Sequence, residues 1–207
     1  MDATTLLSGH RIVPVVVLDS AAVAVPVAKA LLAGGIRVAE VTLRTDDAID
    51  GICAIASDVP DMLIGAGSVR SVEQMRQVKA AGAQFVVSPG HTLDLISVAT
   101  EFEMPFVPGA CTPAEMMGLL ERGYTLQKFF PAEQAGGATF LKSVGGPLPE
   151  IKFMPTGGVT TTNAGDYLKL ANVSAVGGSW IAPLDLQRQG DFLAIAKLAA
   201  DSLQLSV

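Results

Sequence analysis

Short apolar runs alternate with segments of helical period from one end of the chain to the other, eight of each. The runs fall at residues 13–18, 38–43, 63–65, 85–88, 106–108, 125–129, 151–154 and 173–176. The helical segments fall at 21–32, 46–56, 72–81, 92–100, 113–121, 137–144, 162–170 and 187–203. Runs that are apolar throughout, rather than at every second position, belong to strands buried on both faces, as in a parallel sheet covered by helices. Regular alternation with helices calls for βα units. Eight such units predict an α/β fold, a (β/α)8 TIM barrel in a single domain over residues 1–207. An open doubly wound sheet is the alternative, and it usually has fewer strands. No linker, low-complexity stretch or second composition zone interrupts the rhythm.

Composition narrows the function. The chain is 50% hydrophobic and 16% charged, which suits a large core and excludes disorder. Its net charge is −6, it has no run rich in Lys and Arg, and aromatics are few. Nucleic acid is therefore not an expected partner. Cys53 and Cys111 lie far apart with no Cys-x-x-Cys spacing, which suits a reducing compartment. Cys53 falls in an Ala/Ile-rich helix and reads as packing. The N-terminus lacks a basic region followed by an apolar one, and no apolar stretch reaches membrane-spanning length. A cytoplasmic protein is expected. His10 and His91 share no ligand spacing with a carboxylate or cysteine cluster, so neither a metal nor a cofactor is expected. There is no Gly-x-Ser-x-Gly elbow and no Walker sequence.

In a barrel, chemistry gathers at the C-terminal ends of the strands. Lys128 lies there, in Gln127-Lys128-Phe129-Phe130-Pro131. Burying an ammonium without a partner is costly, desolvation favours the neutral amine, and a neutral amine attacks carbonyl carbons. The plainer reading is a lysine whose head reaches water past the rings. Lys29, Lys79, Lys142, Lys169 and Lys197 fall on helices, and Lys152 starts a strand at the opposite end.

The second run carries Glu40, Thr42 and Arg44. Alternation points all three the same way, into the barrel. They read as a general acid/base with an anion clamp, or else as a structural Glu40–Arg44 ion pair. Gly65-Ala66-Gly67-Ser68 ends the third run, where glycines allow close approach of a ligand or simply a tight turn. Ser88-Pro89-Gly90-His91 ends the fourth, and His91 either meets substrate or is merely solvated. Pro155-Thr156-Gly157-Gly158 and Gly177-Gly178-Ser179 end the last two runs. Glycine pairs there match the recurrent phosphate site of barrels, where bare N–H groups and a helix N-terminus hold the anion. Two plain glycine turns are the alternative.

Taken in order, Glu40-Val41-Thr42-Leu43-Arg44-Thr45, Gly65-Ala66-Gly67, Ser88-Pro89-Gly90, Lys128-Phe129-Phe130-Pro131-Ala132-Glu133, Pro155-Thr156-Gly157-Gly158 and Gly177-Gly178-Ser179-Trp180 give the chain a family likeness. It resembles the bacterial class I aldolases of 2-keto-3-deoxy-6-phosphogluconate (KDPG), which also act on 4-hydroxy-2-oxoglutarate (KHG). The resemblance covers nearly the whole chain. It implies a metal-free homotrimeric (β/α)8 barrel taking a small 2-oxo acid and a phosphorylated aldehyde. It also implies a Schiff-base lysine at Lys128, an acid/base glutamate at Glu40 and a carboxylate-binding arginine at Arg44. Thr42, Ser68 and Pro89 join the substrate-binding set, and Gly157, Gly158, Gly178 and Ser179 form its phosphate end.

Three positions depart from the family pattern. Ser68 stands where threonine is usual, His91 where leucine is common and Gln127 where an aromatic residue is common. Aldolases for the galactonate epimer look similar but usually lack the Thr-x-Arg of the second strand, so Thr42 and Arg44 favour the gluconate-derived substrate. A metal-independent phosphosugar isomerase or epimerase, or a non-catalytic barrel binding phosphometabolites, remains an alternative.

Overall fold

A computed structural model of the chain describes residues 2–206. Its strands are β1 (Ile12–Val16), β2 (Val38–Thr42), β3 (Leu63–Gly67), β4 (Phe85–Val87), β5 (Phe106–Val107), β6 (Gly109–Ala110), β7 (Leu126–Phe129), β8 (Lys152–Pro155) and β9 (Val176–Gly178). Every pairing is parallel. One sheet runs β5-β4-β3-β2-β1-β9 and the other β6-β7-β8. All positions of β1, β2 and β7 are buried, as unbroken apolar patterning requires.

The two sheets meet twice. β5 and β6 follow one path broken only at Pro108, which has no N–H to give the ladder. Its carbonyl still accepts from Lys128 N at 2.9 Å. At the other seam, parallel bridges pair Phe153 with Val173 and Thr156 with Gly177.

The helices are α1 (Ala3–Leu6), α2 (Ala24–Ala33), α3 (Ala48–Asp58), α4 (Val72–Ala80), α5 (Leu93–Glu101), α6 (Pro113–Leu120), α7 (Gly137–Val144), α8 (Ala164–Leu168), α9 (Leu184–Gln189) and α10 (Phe192–Leu203). Their starts follow from capping side chains: Ser71, Thr92 and Asp191 each accept from a first-turn amide. Thr112 and Glu115 form a reciprocal capping box, with Pro113 opening α6. None of these helices is long and apolar enough to cross a membrane.

Several expected boundaries move. The segment 187–203 is two helices, because Gly190 turns left-handed (φ 68°) and Asp191 caps a new start. The helix expected over 162–170 contracts to α8. The run at 173–176 makes a single bridge at Val173 and joins a ladder only at Val176, while Arg11 Nη1 donates to Val173 O (2.8 Å) and Ser174 O (3.1 Å). The segment 21–32 opens with a 3₁₀ turn at Ala21–Val23 capped by Ser20. The short α1 was not expected at all. Cys53 is exposed; the buried face of α3 is Ala48, Gly51, Ile52 and Ile55, so Cys53 is not a packing residue.

Candidate active site

The direction of Lys128 follows from its neighbour. Phe129 stacks on Phe140 of α7 at 5.2 Å between ring centroids, so it faces the helices. Alternation turns Lys128 the other way, between the two sheets. There its Nζ lies 3.2 Å from Glu40 Oε1 on β2, with 3% of the lysine side chain and none of the glutamate exposed. The Phe130 ring centroid is 5.6 Å from the same nitrogen. The amine therefore has an internal partner and does not reach water past the rings.

Glu40 fits because Gly67 has no side chain: a Cβ on Gly67 would stand 2.0 Å from Glu40 Oε1. The second carboxylate oxygen, Oε2, is buried with no hydrogen-bond partner among the described residues. A bare acceptor beside an amine is costly unless something else binds there. Gly65 similarly makes room for the Phe85 ring. Gly65-Ala66-Gly67 is thus strand, not a turn, and its glycines admit side chains rather than a ligand.

Thr42 is fully buried, and its Oγ1 donates to Val16 O at 3.2 Å. Arg44 departs from the expected line of three inward side chains. The strand ends at Thr42, a tight turn follows in which Arg44 N bonds Thr42 O (2.8 Å), and Arg44 is exposed at the rim. No Glu40–Arg44 ion pair forms among the described residues, since Glu40 faces Lys128. Arg44 Nε instead donates to Ser68 Oγ at 3.4 Å. Ser68 holds φ 58°, the left-handed region that a side chain enters at a cost and that clusters at functional sites.

Pro89 and Gly90 lie over β6. A Cβ on Gly109, the neighbour of Lys128 in the ladder, would meet the Pro89 carbonyl at 2.3 Å. His91 is not merely solvated: its Nδ1–H donates to Gly109 O at 2.9 Å, pinning the same loop.

Gly157 and Gly158 both have positive φ, 96° and 76°. Gly157 abuts the Phe130 ring, which connects this turn to Lys128. Gly177 and Gly178, in contrast, are buried strand residues. A Cβ on either would strike Thr156 Oγ1 (2.3 Å) or the Trp180 ring (2.2 Å), so packing requires both. Ser179 is exposed just beyond. The helix N-terminus expected beside the glycine pairs is displaced, with α8 beginning at Ala164 and α9 at Leu184.

Thr156 and Glu133 lie inside the Pro155–Gly158 and Lys128–Glu133 motifs, beside the residues expected at the site but not among them. Thr156 is 6% exposed, and its Oγ1 has no partner among the described residues. By alternation with Met154, the ladder partner of Lys128, it points inward. A cleft of about 310 Å³ lined by Thr4, Tyr124, Thr125 and Leu126 opens at the other ends of the strands and holds none of these groups.

A family model described as KDPG and KHG aldolase matches residues 4–198. The chain belongs to the KDPG and KHG aldolase family. It is 50% identical to the 2-dehydro-3-deoxy-phosphogluconate aldolase of Pseudoalteromonas atlantica, over 96% of this chain and 92% of that protein. It is 46% identical to the KHG/KDPG aldolase of Escherichia coli, over 98% and 95% of the two chains. Its fold matches the crystal structure of Legionella pneumophila KDPG aldolase, in which pyruvate was captured as a covalent carbinolamine. That match has a TM-score of 0.95 and 41% identity, covering 98% of each chain. A carbinolamine is what a neutral amine and a ketone form, so for this KDPG and KHG aldolase family member the buried amine is the group to follow.

Proposed function

We propose that this protein is a class I aldolase, a carbon–carbon lyase with Lys128 as its nucleophile. It cleaves 2-dehydro-3-deoxy-6-phosphogluconate to pyruvate and glyceraldehyde 3-phosphate, and 4-hydroxy-2-oxoglutarate to pyruvate and glyoxylate. The observation that carries this reading is the buried contact between Lys128 Nζ and Glu40 Oε1, with Glu40 Oε2 left bare.

The geometry suggests the following roles. Arg44 and Ser68 at the rim hold the carboxylate of the 2-oxo acid. Glu40 takes a proton from the Lys128 ammonium, and the free amine attacks carbon two to form a carbinolamine. Glu40 then protonates the departing hydroxyl, which leaves as water and gives the protonated imine. The bond between carbons three and four breaks, and its electrons flow to the imine nitrogen. The proton of the carbon-four hydroxyl passes to Glu40, directly or through water, as the aldehyde forms. In this reading the Thr156 hydroxyl, buried without a partner among the described residues, bonds that oxygen. The enamine left on Lys128 takes a proton at carbon three from Glu40, and hydrolysis releases pyruvate. Thr42 and Pro89 shape the pyruvate end, and Gly157, Gly158, Gly178 and Ser179 bind the phosphate, which steers the reacting bond from a distance.

The same reading takes the two sheets as one closed (β/α)8 barrel, a single domain over residues 1–207. The strand path through Pro108 and the two bridges at the opposite seam support it. A homotrimer is part of this reading, and light scattering would give three times the mass of the chain.

The decisive experiment mixes the protein with pyruvate and borohydride and maps added mass by peptide mass spectrometry. A reduced adduct on Lys128 is expected. A folded, pyruvate-binding protein that traps no adduct would overturn the imine mechanism and favour a phosphosugar isomerase.

A further inference from the structure

Glu133 poses a problem for the proposed phosphate end. Its amide donates to Gly157 O at 3.1 Å, and the preceding amide of Ala132 donates to Thr156 O at 2.9 Å. The loop after β7 is thereby fastened to the turn after β8. The Glu133 side chain lies over that turn, for a Cβ on Gly158 would be 2.6 Å from Glu133 Cγ. Glu133 is exposed, and no cation pairs with it among the described residues. A free carboxylate at this place would repel a phosphate dianion, or compete with it for the amides of the turn.

One group restrains the carboxylate: the Tyr167 hydroxyl of α8 donates to Glu133 Oε1. Tyr167 is 1% exposed, and the hydroxyl and Oε1 both sit against Gly137, where a Cβ would be 3.4 and 3.3 Å from them. Burial and the neighbouring carboxylate hold the phenol well above its usual range, so it stays a donor. The cleft on this side, about 350 Å³, is lined by Glu133, Gly137, Asn163, Asp166 and Tyr167. It lies on the α8 side of the loop, so a carboxylate held there is drawn aside from the turn. Asn163 completes the frame, its Nδ2 donating to Gly158 O at 3.1 Å.

We propose that Tyr167 is a positioning residue for the phosphate end, holding the Glu133 carboxylate toward α8 and off the Gly157–Gly158 turn. This rests on the reading of that turn as the phosphate site. 4-Hydroxy-2-oxoglutarate ends at a carboxylate on carbon five, short of the phosphate on carbon six of the longer substrate, so on this reading it stops before the turn and is far less sensitive to where the Glu133 carboxylate points. Tyr167 therefore acts on the preference between the two substrates rather than on the chemical step.

The test is steady-state kinetics of the full chain on 2-dehydro-3-deoxy-6-phosphogluconate and on 4-hydroxy-2-oxoglutarate. Tyr167→Phe is expected to raise KM for the phosphorylated substrate about tenfold, the order of one like-charge contact at a half-solvated site, and to leave KM for the other unchanged. The double variant Tyr167→Phe/Glu133→Gln should return KM for the phosphorylated substrate to near wild type, because the freed side chain is then neutral. A purely structural hydroxyl would show no such rescue. Equal losses on both substrates, no loss on either, or a double variant no better than Tyr167→Phe would overturn the proposal. Ser179→Asp separates the underlying reading: if it spares the phosphorylated substrate, the phosphate lies elsewhere. If it selectively raises that KM while Tyr167→Phe does not, the phosphate reading stands and the role of Tyr167 fails.

Discussion

At the scale of single residues, the chemistry depends on an absent side chain as much as on those present. Gly67→Ala would put a methyl group where Glu40 Oε1 stands. The variant is expected to fold with a loss of about 1–3 kcal/mol, an overpacking cost, and to lose most proton transfer. Denaturant melts and exchange of the pyruvate methyl protons, followed by NMR, would check both halves. Glu40→Gln should still bind pyruvate while slowing that exchange about a hundredfold or more. Unchanged exchange would remove Glu40 from the mechanism. Lys128 was legible in the sequence as a cation among aromatics, but its partner was not. Period-two alternation was carried through Arg44, whereas β2 ends at Thr42 and the chain turns. Nothing in Leu43 marks that end, because an apolar residue suits both strand and turn. Nor does a glycine announce whether it makes room for a ligand, as expected of Gly67, or for a neighbouring carboxylate.

At the scale of elements, the caps carry testable weight. Glu115 Oε2 accepts from Cys111 N and Thr112 N, both at 2.9 Å, at the start of α6. These bonds, led by that from Cys111, hold its carboxyl below the ordinary value of 4.5 despite partial burial. A carboxyl lowered on folding stabilises the protein above its unfolded value, and that contribution is lost as pH falls through the folded value. The acid limb of the stability–pH curve should therefore be shallower in Glu115→Gln below about pH 4.5, as read from thermal melts at a series of pH values. At the end of the chain, Asp191→Ala removes the acceptor for Ala194 N (3.0 Å) and should cost about 1 kcal/mol with no change in KM. The rhythm of elements was legible because unbroken apolar runs leave few other ways to bury them. The split at Gly190 was less so, since the apolar period continues across it and only the left-handed backbone reveals the break.

At the scale of the whole molecule, the first and last βα units are tied near the site. Buried Gln187 donates from Nε2 to Val17 O (3.0 Å) and Ala182 O (2.8 Å). Exposed Arg188 pairs with Asp19 in two-pronged fashion, at 2.6 and 2.9 Å. Gln187→Ala strands two carbonyls and is expected to cost about 2–3 kcal/mol in urea unfolding. Arg188→Ala, at an exposed pair, should cost far less. Pro108, at one of the two seams between the sheets, ends the fifth run in the sequence. A proline lacking an N–H marks where a ladder stops, yet not that the chain resumes pairing one residue later.

The burial of Lys128 also sets which molecules can meet it. Lys29, Lys79, Lys142, Lys169 and Lys197 are exposed, and Lys152 is half-buried with its Nζ on Ala171 O. A bulky amine-reactive label should decorate these and spare the 3%-exposed Lys128. A compact 2-oxo acid, small enough to pass between the sheets, should mark Lys128 instead. Inverse labelling by reagent size would make the fold itself the filter, admitting a substrate while screening the amine from larger electrophiles.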